Sequence, residues 1–376
     1  MNNIKYDLII VGAGIHGVAV AREAVREGMK VCLIEQFDKP AQGTSSKSSK
    51  LIHGGLRYLE SLEINLVYEC LRDRKRLLDL YPDDVKLVKF YIPVYEDSSR
   101  SALVIRAGLT LYATLGGAKS ANRFRSIPRS KWSELDGLNS DGLNHVFQYH
   151  DAQTDDAKLT RIVLDEAMEK GARVMFNCEL TSCYASGPGV KVDYQYNNDT
   201  LTLESKYLIN AAGPWVNHVL QRCEPTVTPL DIDLVQGSHI ELPGILDQGI
   251  YYLEAPQDQR AVFAMPWKGH IMVGTTEKMY RGDPAKVAPT QEEVEYLLTV
   301  YNHYFANNSN KKVSSDVIAS WAGLRVLPRS DENAFNRSRE TIFHKNDIDN
   351  MRIISIYGGK LTSHYSTARK LLKQIR

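Results

Sequence analysis

Residues 4–35 read IKYDLIIVGAGIHGVAVAREAVREGMKVCLIE. An apolar run leads into a G-x-G-x-x-G motif that begins at Gly12, and the next residues repeat apolar side chains at helical spacing as far as Gly28. A second apolar run then ends at the acidic residue Glu35. The pattern predicts a strand, a helix and a parallel second strand, the β-α-β unit that is typical of a Rossmann-like dinucleotide-binding fold.

Each glycine of the motif meets a separate steric need. Gly12 permits the tight turn, Gly14 lets backbone N–H groups approach a pyrophosphate at the positive end of the helix, and Gly17 lets the helix pack on the strand. Glu35 can accept hydrogen bonds from ribose hydroxyls. The unit alone does not distinguish a nicotinamide dinucleotide from a flavin dinucleotide, because both carry ADP.

A dense polar loop follows the β-α-β unit. Residues 43–60 read GTSSKSSKLIHGGLRYLE. Hydroxyl groups that can donate to a pyrophosphate and a ribityl chain belong to Thr44, Ser45, Ser46, Ser48 and Ser49. Gly54 and Gly55 allow the backbone to press against a flat ring, so Arg57 and Tyr58 are expected beyond that ring, on the substrate side. The position of this loop favours a longer cofactor whose far end is held by the loop itself.

The loop resembles the signature of the FAD-dependent glycerol-3-phosphate dehydrogenases, a family within the D-amino acid oxidase-like flavin oxidoreductases. The resemblance extends along nearly the whole chain. Further matching motifs are, in order, DAQTDDAKLTRIVL (151–164), YLINAAGPWVN (207–217), QGSHIEL (236–242), VFAMPW (262–267), GTTEKMYRGDP (274–284), GLRVLP (323–328) and YGGKLTSHY (357–365). Members of the family usually carry a further helical domain after the last motif, whereas this sequence ends sixteen residues beyond Lys360.

The resemblance implies a non-covalently bound FAD and the residues that hold it. The implied cofactor residues are Gly12, Gly14, Ile15, His16, Gly17, Glu35, Gln36, Thr44, Ser45, Ser48, Ser49, Lys50, Leu51, His53, Gly54, Gly55, Ala211, Ala212, Gly213, Trp215, Gly323, Arg325, Gly358, Gly359, Lys360, Leu361 and Thr362. The resemblance also implies a substrate site formed by Arg57, Tyr58, Arg325, Lys360 and Thr362. Guanidinium groups bind phosphate through paired hydrogen bonds, which suits a small anionic hydroxy substrate. No metal site is expected.

Oxidation of a secondary alcohol removes a hydride from carbon and a proton from oxygen, so the site needs a proton acceptor. His239 is the first candidate, because strand alternation places it on the face opposite Ile240. His53, in the polar loop, is the second candidate. The third is an arginine-activated or water-mediated route. Arg325 and Lys360 are the cations expected to stabilise developing negative charge.

Three hypotheses for the function follow. The first is oxidation of sn-glycerol 3-phosphate to dihydroxyacetone phosphate by hydride transfer to flavin N5, with electrons passed to a quinone or another acceptor. The second is an oxidase of a 2-hydroxy acid, such as 2-hydroxyglutarate, or of an amino acid, because Arg57 and Arg325 would clamp a carboxylate equally well. The third is a flavin-binding subunit with little turnover of its own.

Composition limits the class of protein. The 376 residues are 43% hydrophobic and carry a net charge of +1, which argues against a protein that coats nucleic acid. Five cysteines without a C-x-x-C pair favour free thiols in a reducing compartment, so a cytoplasmic location is expected. The weakly charged stretch 101–118 is interpreted as a buried or surface helix, with peripheral contact to the inner face of a membrane as the alternative.

The predicted architecture is an α/β Rossmann-like FAD-binding domain with a discontinuous α+β substrate domain built on an antiparallel sheet. The FAD-binding domain is predicted at 1–84, 151–224 and 316–376, and the substrate domain at 85–150 and 225–315. Among the predicted helices is one at 156–170, and its expected core face consists of Leu159, Ile162, Val163 and Met168.

Overall fold

A computed structural model describes residues 5–117, 122–186, 189–306, 310–329, 341–345 and 352–375. The strands are, in chain order, β1 (Lys5–Val11), β2 (Val31–Ile34), β3 (Leu51–Ile52), β4 (Val85–Tyr95), β5 (Arg125–Ser126), β6 (Leu143–Thr154), β7 (Arg173–Met175), β8 (Cys178–Ser186), β9 (Gly189–Tyr196), β10 (Asp199–Asn210), β11 (Cys223–Glu224), β12 (Ile232–Leu242), β13 (Ile250–Glu254), β14 (Ala261–Trp267), β15 (His270–Gly274), β16 (Lys278–Tyr280), β17 (Ala319–Pro328), β18 (Ile342–Lys345) and β19 (Ile353–Tyr357). The helices are α1 (Ile15–Arg26), α2 (Ile64–Leu80), α3 (Ala102–Leu115), α4 (Asp156–Glu169), α5 (Val216–Leu220), α6 (Gln291–Phe305) and α7 (His364–Leu372).

The first sheet contains the predicted β-α-β unit. Strand β1 pairs in parallel with β2 on one side and with β10 on the other, and β10 pairs in parallel with β19. Leu8 and Ile10 of β1 pack with α1, α4 and α7 on one face, while Ile9 and Val11 pack in a separate cluster on the other. Both faces of β1 are therefore covered, which explains its continuous apolar run.

The second sheet has the order β16-β12-β15-β14-β13-β4-β6-β3, with β17 beside β12 and β5 beside β6. Its pairs are antiparallel except that β13 runs parallel to β4. Helix α6 packs on one face, where Leu297 and Val300 join Ile240, Tyr251 and other buried residues. The two mixed sheets confirm the predicted class, an FAD-type α/β unit joined to a largely antiparallel one.

Sheet membership crosses the predicted domain division in two places. Strand β17, within the segment 316–376, pairs with β12 along ten residues from Ile232 to Glu241. Strand β3, within 1–84, pairs with β6. The segments assigned to one domain therefore contribute strands to the other sheet, and the domain division itself stays a prediction.

Met168, predicted as a core residue of α4, lies on the exposed side of the helix. Met168 is 47% exposed, and the buried face consists of Leu159, Val163, Leu164 and Ala167. Met168 follows Leu159 by nine positions, which at about 100° per residue places it on the opposite side of the helix. The apolar character of the methionine was misleading, and the helical spacing was the better guide.

The surface helix predicted near 101–118 is present as α3. Ser101 caps it by accepting a hydrogen bond from the Val104 N–H. Leu109 and Tyr112 are buried, but Leu103 is 78% exposed. Within the described residues, no helix has both the length and the apolar character needed to cross a membrane.

Candidate active site

An elongated cavity of about 670 Å³ runs from the glycine turn after β1 to the second sheet. The predicted cofactor, substrate and catalytic residues line this cavity, with the exceptions of Gly17, Ser46, Lys50 and Gly54. The cavity has the size and enclosure of a cofactor site. Segments that are distant in the sequence thus meet around one space.

The glycine turn forms one end of the cavity. Gly12 has φ +102°, and a Cβ atom added there would lie 2.7 Å from the Ala211 carbonyl oxygen. A Cβ at Gly17 would lie 1.9 Å from the Gly12 carbonyl oxygen, so Gly17 serves the close packing of helix on turn. Ser45 reaches the start of α1, where its Oγ accepts a hydrogen bond from the Ile15 N–H at 2.9 Å. These contacts leave a backbone-lined cradle at a helix N-terminus.

Glu35 stands at the end of β2, beside the glycine turn. Its Oε2 accepts the Ala13 N–H at 2.6 Å, and its Oε1 accepts the Phe37 N–H at 3.1 Å. Burial raises the pKa of this carboxyl group, while the backbone hydrogen bonds lower it. The carboxylate is thereby fixed where a ribose would meet the turn.

Cations gather at the other end of the cavity. Arg325 Nη1 donates to Glu277 Oε1 at 2.9 Å, and Arg325 Nη2 donates to Thr275 Oγ1 at 3.3 Å. Lys360 Nζ lies 4.1 Å from the centre of the Tyr58 ring, and the Arg57 guanidinium carbon lies 5.7 Å from the same ring. Arg57, Arg325 and Lys360 outnumber the Glu277 carboxylate at this end of the cavity, which suits it to an anionic substrate.

His239, the first candidate proton acceptor, lies between the polar loop and β17. Its Nε2 is 2.9 Å from Ser49 Oγ, and its ring stacks on Trp321 with centroids 5.5 Å apart. Burial, followed by the charges of Lys50 and Arg325, lowers the pKa of His239 to about 3. The imidazole is therefore neutral near pH 7, and the same lowering of the pKa makes it a weaker base.

His53, the second candidate, also lines the cavity. Thr362 Oγ1 donates to the His53 backbone carbonyl at 3.5 Å, which ties the polar loop to the turn before α7. The structure therefore brings both histidines to the same cavity, and the choice between them stays open.

The β13–β14 hairpin contributes cavity residues that the sequence motifs did not indicate. Tyr252, Arg260 and Phe263 line the cavity from this hairpin. Arg260 Nη1 donates to the Glu277 carbonyl oxygen at 3.0 Å, so Arg260 and Arg325 hold the same residue. The available signal was the position of Arg260, two residues before the start of the VFAMPW motif.

The glycine turn, the serine-rich loop and the cationic end around one cavity define a flavin-dependent oxidoreductase. The family model described as FAD dependent oxidoreductase matches residues 7–365, and the chain belongs to that family. FAD is therefore its cofactor. The residues fit this group, because Gly12, at φ +102°, places a turn without a side chain at the N-terminus of α1, and the Glu35 carboxylate lies beside that turn. The hydroxyls of Thr44, Ser48 and Ser49 contact protein groups, namely the Leu324 carbonyl oxygen, Asp156 and His239.

Two of the relatives that the chain matches are named as dehydrogenases of polyol phosphates. The chain is 38% identical to a glycerol-3-phosphate dehydrogenase of Pseudomonas aeruginosa, over 99% of this chain and 72% of the relative. It is 34% identical to a D-erythritol 1-phosphate dehydrogenase of Brucella abortus, over 98% of this chain and 73% of the relative. These matches confirm the resemblance to the glycerol-3-phosphate dehydrogenases.

A solved structure agrees with these relatives. The glycerol-3-phosphate dehydrogenase of Bacillus halodurans complexed with FAD superposes with a TM-score of 0.76 at 25% identity, over 99% of this chain. The present chain spans 64% of that structure's chain. The shared two-sheet architecture with an FAD-bound protein supports the assignment of the cofactor.

Proposed function

We propose that this protein oxidises the secondary alcohol of sn-glycerol 3-phosphate to the ketone of dihydroxyacetone phosphate. The observation that carries the proposal is that Arg57, Arg325 and Lys360 line one cavity, where Arg325 is paired with Glu277. The guanidinium and ammonium groups supply the positive charge that a phosphate requires. The 38% identity to a glycerol-3-phosphate dehydrogenase supports the same substrate.

The side chains have separate roles in this proposal. Arg57 and Lys360 bind the phosphate, and Arg325 orients the polyol. His239 takes the hydroxyl proton through Nε2, with Ser49 aligning its ring, and His53 is the alternative acceptor. Bound FAD supplies the hydride acceptor.

The buried carboxylate of Glu277 favours a polyol phosphate over a 2-hydroxy acid or an amino acid. The Glu277 side chain is only 6% exposed and already occupies Arg325. A substrate carboxylate placed at Arg325 would meet this like charge, whereas substrate hydroxyls can donate to a carboxylate. The part of the cavity beside Arg325 and Glu277 is therefore better matched to substrate hydroxyls than to a substrate carboxylate.

Anaerobic mixing of the FAD-loaded protein with single substrates tests the proposal. The visible flavin band should bleach with sn-glycerol 3-phosphate and stay unchanged with 2-hydroxyglutarate and glycine. D-erythritol 1-phosphate is included because one relative is named for it. Bleaching by a carboxylate substrate but not by glycerol 3-phosphate would overturn the substrate assignment, and no bleaching by any of them would favour a flavin-binding subunit.

We also propose a quinone acceptor and a peripheral position on the inner face of a membrane, facing the cytoplasm. Residues 98–133 contain no acidic residue, and their basic residues are Arg100, Arg106, Lys119, Arg123, Arg125, Arg129 and Lys131. In α3, Leu103, Val104 and Leu111 are exposed beside Arg106. Basic groups next to exposed apolar side chains are typical of helices that lie on anionic lipid.

Vesicle sedimentation separates this position from an ordinary surface helix. The wild type should sediment with vesicles that contain an anionic lipid and less with neutral ones. The double variant Leu103→Ser, Leu111→Ser should lose most of this binding, while the control Leu201→Ser, an exposed leucine of β10, should retain it. Equal sedimentation of all three proteins would contradict the proposed surface.

Anaerobic reoxidation of the reduced flavin by a soluble quinone tests the proposed electron acceptor.

A further inference from the structure

Lys50 is buried but does not line the cavity. Its Nζ lies 2.6 Å from Asp156 Oδ1 and 2.6 Å from the Ser46 carbonyl oxygen. The backbone of Lys50 has φ +60°, and its carbonyl accepts the Thr154 N–H at 2.9 Å. The side chain is thus directed at the start of α4 rather than at the cofactor that the family resemblance implied.

Asp156 joins Lys50 to Ser48, another residue of the polar loop. It is fully buried, and its Oδ2 accepts both the Ser48 N–H at 3.0 Å and the Ser48 hydroxyl at 2.6 Å. Its Oδ1 also accepts the Ala157 N–H at 2.8 Å. The Asp156 carboxylate therefore connects the Lys50 ammonium group, Ser48 and the first turn of α4.

The ammonium group of Lys50 also lies near Trp321, whose ring stacks on His239. Lys50 Nζ is 5.6 Å from the ring centre of Trp267 and 5.5 Å from that of Trp321. Trp321 stacks on His239 with an interplanar angle of 11°. Ser49, between Ser48 and Lys50 in the chain, contacts His239 Nε2. Lys50 thus supports both groups that hold the imidazole.

Stability alone is a weak reason for this buried pair. A buried ion pair contributes little compared with apolar side chains of similar volume, because desolvation offsets its attraction. The charged groups around the imidazole come from several elements: Lys50 from the loop, Arg325 from β17, Asp156 facing Lys50, and Glu277 facing Arg325. The nearest of them, Lys50 and Arg325, are cations, and both disfavour an imidazolium.

We propose that Lys50 is a positioning residue: with Asp156 it fixes Ser49 and Trp321 around His239 and so sets the position and orientation of the imidazole. This inference rests on the proposed function, in which His239 accepts the substrate proton. Lys50 does not line the cavity, so it acts through Ser49 and Trp321.

The test compares Lys50→Met with Lys50→Arg and with the control Lys158→Met. Lys158 is an exposed lysine of α4 whose Nζ pairs with Asp84 at 2.6 Å. Lys50→Met should retain FAD but lower kcat about tenfold or more, with KM within about threefold, because binding groups are unchanged. Its acid limb of kcat/KM should move to higher pH, since removing a nearby positive charge raises the pKa of His239. Lys50→Arg and Lys158→Met should keep the wild-type profile.

A second readout is independent of turnover. Nitrogen-15 NMR of histidine-labelled holoenzyme, with His239 assigned through His239→Asn, should show Nε2 unprotonated in the wild type and a mixed or altered tautomer in Lys50→Met. Wild-type kcat together with a wild-type tautomer in Lys50→Met would overturn the inference. If glycerol 3-phosphate fails to reduce the wild-type flavin, the proposed function is lost, whereas the tautomer comparison still decides the role of Lys50.

A second variant covers the case in which Lys50→Met does not fold because the buried Asp156 carboxylate has lost its cation. The double variant Lys50→Met, Asp156→Asn removes both charges and keeps an acceptor for Ser48. It should load FAD and show the same altered tautomer and the same acid limb. Wild-type values for both in the double variant would equally overturn the inference.

Discussion

Hydrogen bonds to protein groups hold the Arg325 side chain in place. Its two terminal nitrogens have different partners, Glu277 and Thr275, and its side chain packs close to Gly237, where a Cβ atom would lie 2.8 Å from Nη2. A planar fork can make these contacts and still offer donors to a ligand, whereas an ammonium group is a single point of charge. The guanidinium shape, in addition to its charge, is therefore expected to matter.

Arg325→Lys tests this expectation. We expect kcat/KM for glycerol 3-phosphate to fall about 100-fold, which corresponds to ~2.7 kcal/mol of transition-state stabilisation. The FAD content should be unchanged. Steady-state kinetics and the visible spectrum supply the measurements, and the control is Arg329→Lys, an exposed arginine just after β17 that pairs with Asp231. Equal kinetics for the two variants would show that charge alone suffices at position 325.

Helix α6 shows how one element supports the second sheet. Thr290 and Glu293 form a capping box in which Thr290 Oγ1 accepts the Glu293 N–H and Glu293 Oε2 accepts the Thr290 N–H at 3.0 Å. The buried Glu293 carboxylate also accepts the hydroxyl of Ser238, the residue before His239, at 2.8 Å. The start of α6 is thereby connected to β12 next to the candidate proton acceptor.

Removal of the cap should be measurable as a loss of stability. Thr290→Ala is expected to lower the free energy of unfolding by about 1 kcal/mol, because an N–H at the start of α6 loses its partner. The matched control is Thr299→Ala on the exposed side of the same helix, with an expected change within about 0.5 kcal/mol. Urea denaturation gives both values. A larger effect at Thr299 than at Thr290 would contradict the capping role.

Buried neutral histidines link the stability of the whole molecule to pH. The pKa of His16 is lowered to about 3, and that of His364 to about 4, in each case mainly by burial. His239 behaves similarly. The unfolded chain binds protons at these sites below about pH 6.5 while the folded chain does not, so stability decreases as pH falls from 6.5 toward the folded values.

Each such histidine should lower the free energy of unfolding by about 2 kcal/mol between pH 7.5 and pH 5, because each pH unit below 6.5 contributes ~1.4 kcal/mol. His364→Asn should therefore recover about 2 kcal/mol of the loss, and the control His145→Asn, at an exposed position of β6, should recover none. Urea denaturation at pH 7.5 and pH 5 with excess FAD supplies the comparison. An unchanged pH dependence in His364→Asn would mean that its imidazole is accessible to protons in the folded state.

Local patterns predicted much of the fold and the residues that line the cavity near the glycine turn. The strand-turn-helix at Gly12, the position of Glu35 and the turn before α7 follow from steric and periodic rules that act over a few residues. The error at Met168 arose where hydrophobic character was preferred to helical spacing. The family resemblance added Arg325, because nothing within its own segment shows which cavity it reaches.

The chain order of glycines, apolar runs and hydroxyl groups indicated a Rossmann-like unit followed by a loop suited to a long cofactor, because backbone conformation and strand or helix periodicity depend on neighbours in sequence. The family resemblance added FAD itself. The contacts of Lys50 with Asp156, of Arg325 with Glu277, and of Arg260 with the Glu277 backbone depended on the folded molecule. Each joins segments that are far apart in the chain, so partner and burial exist only once both sheets are assembled. Burial and pairing set the charge state of a side chain, and these were decided in three dimensions.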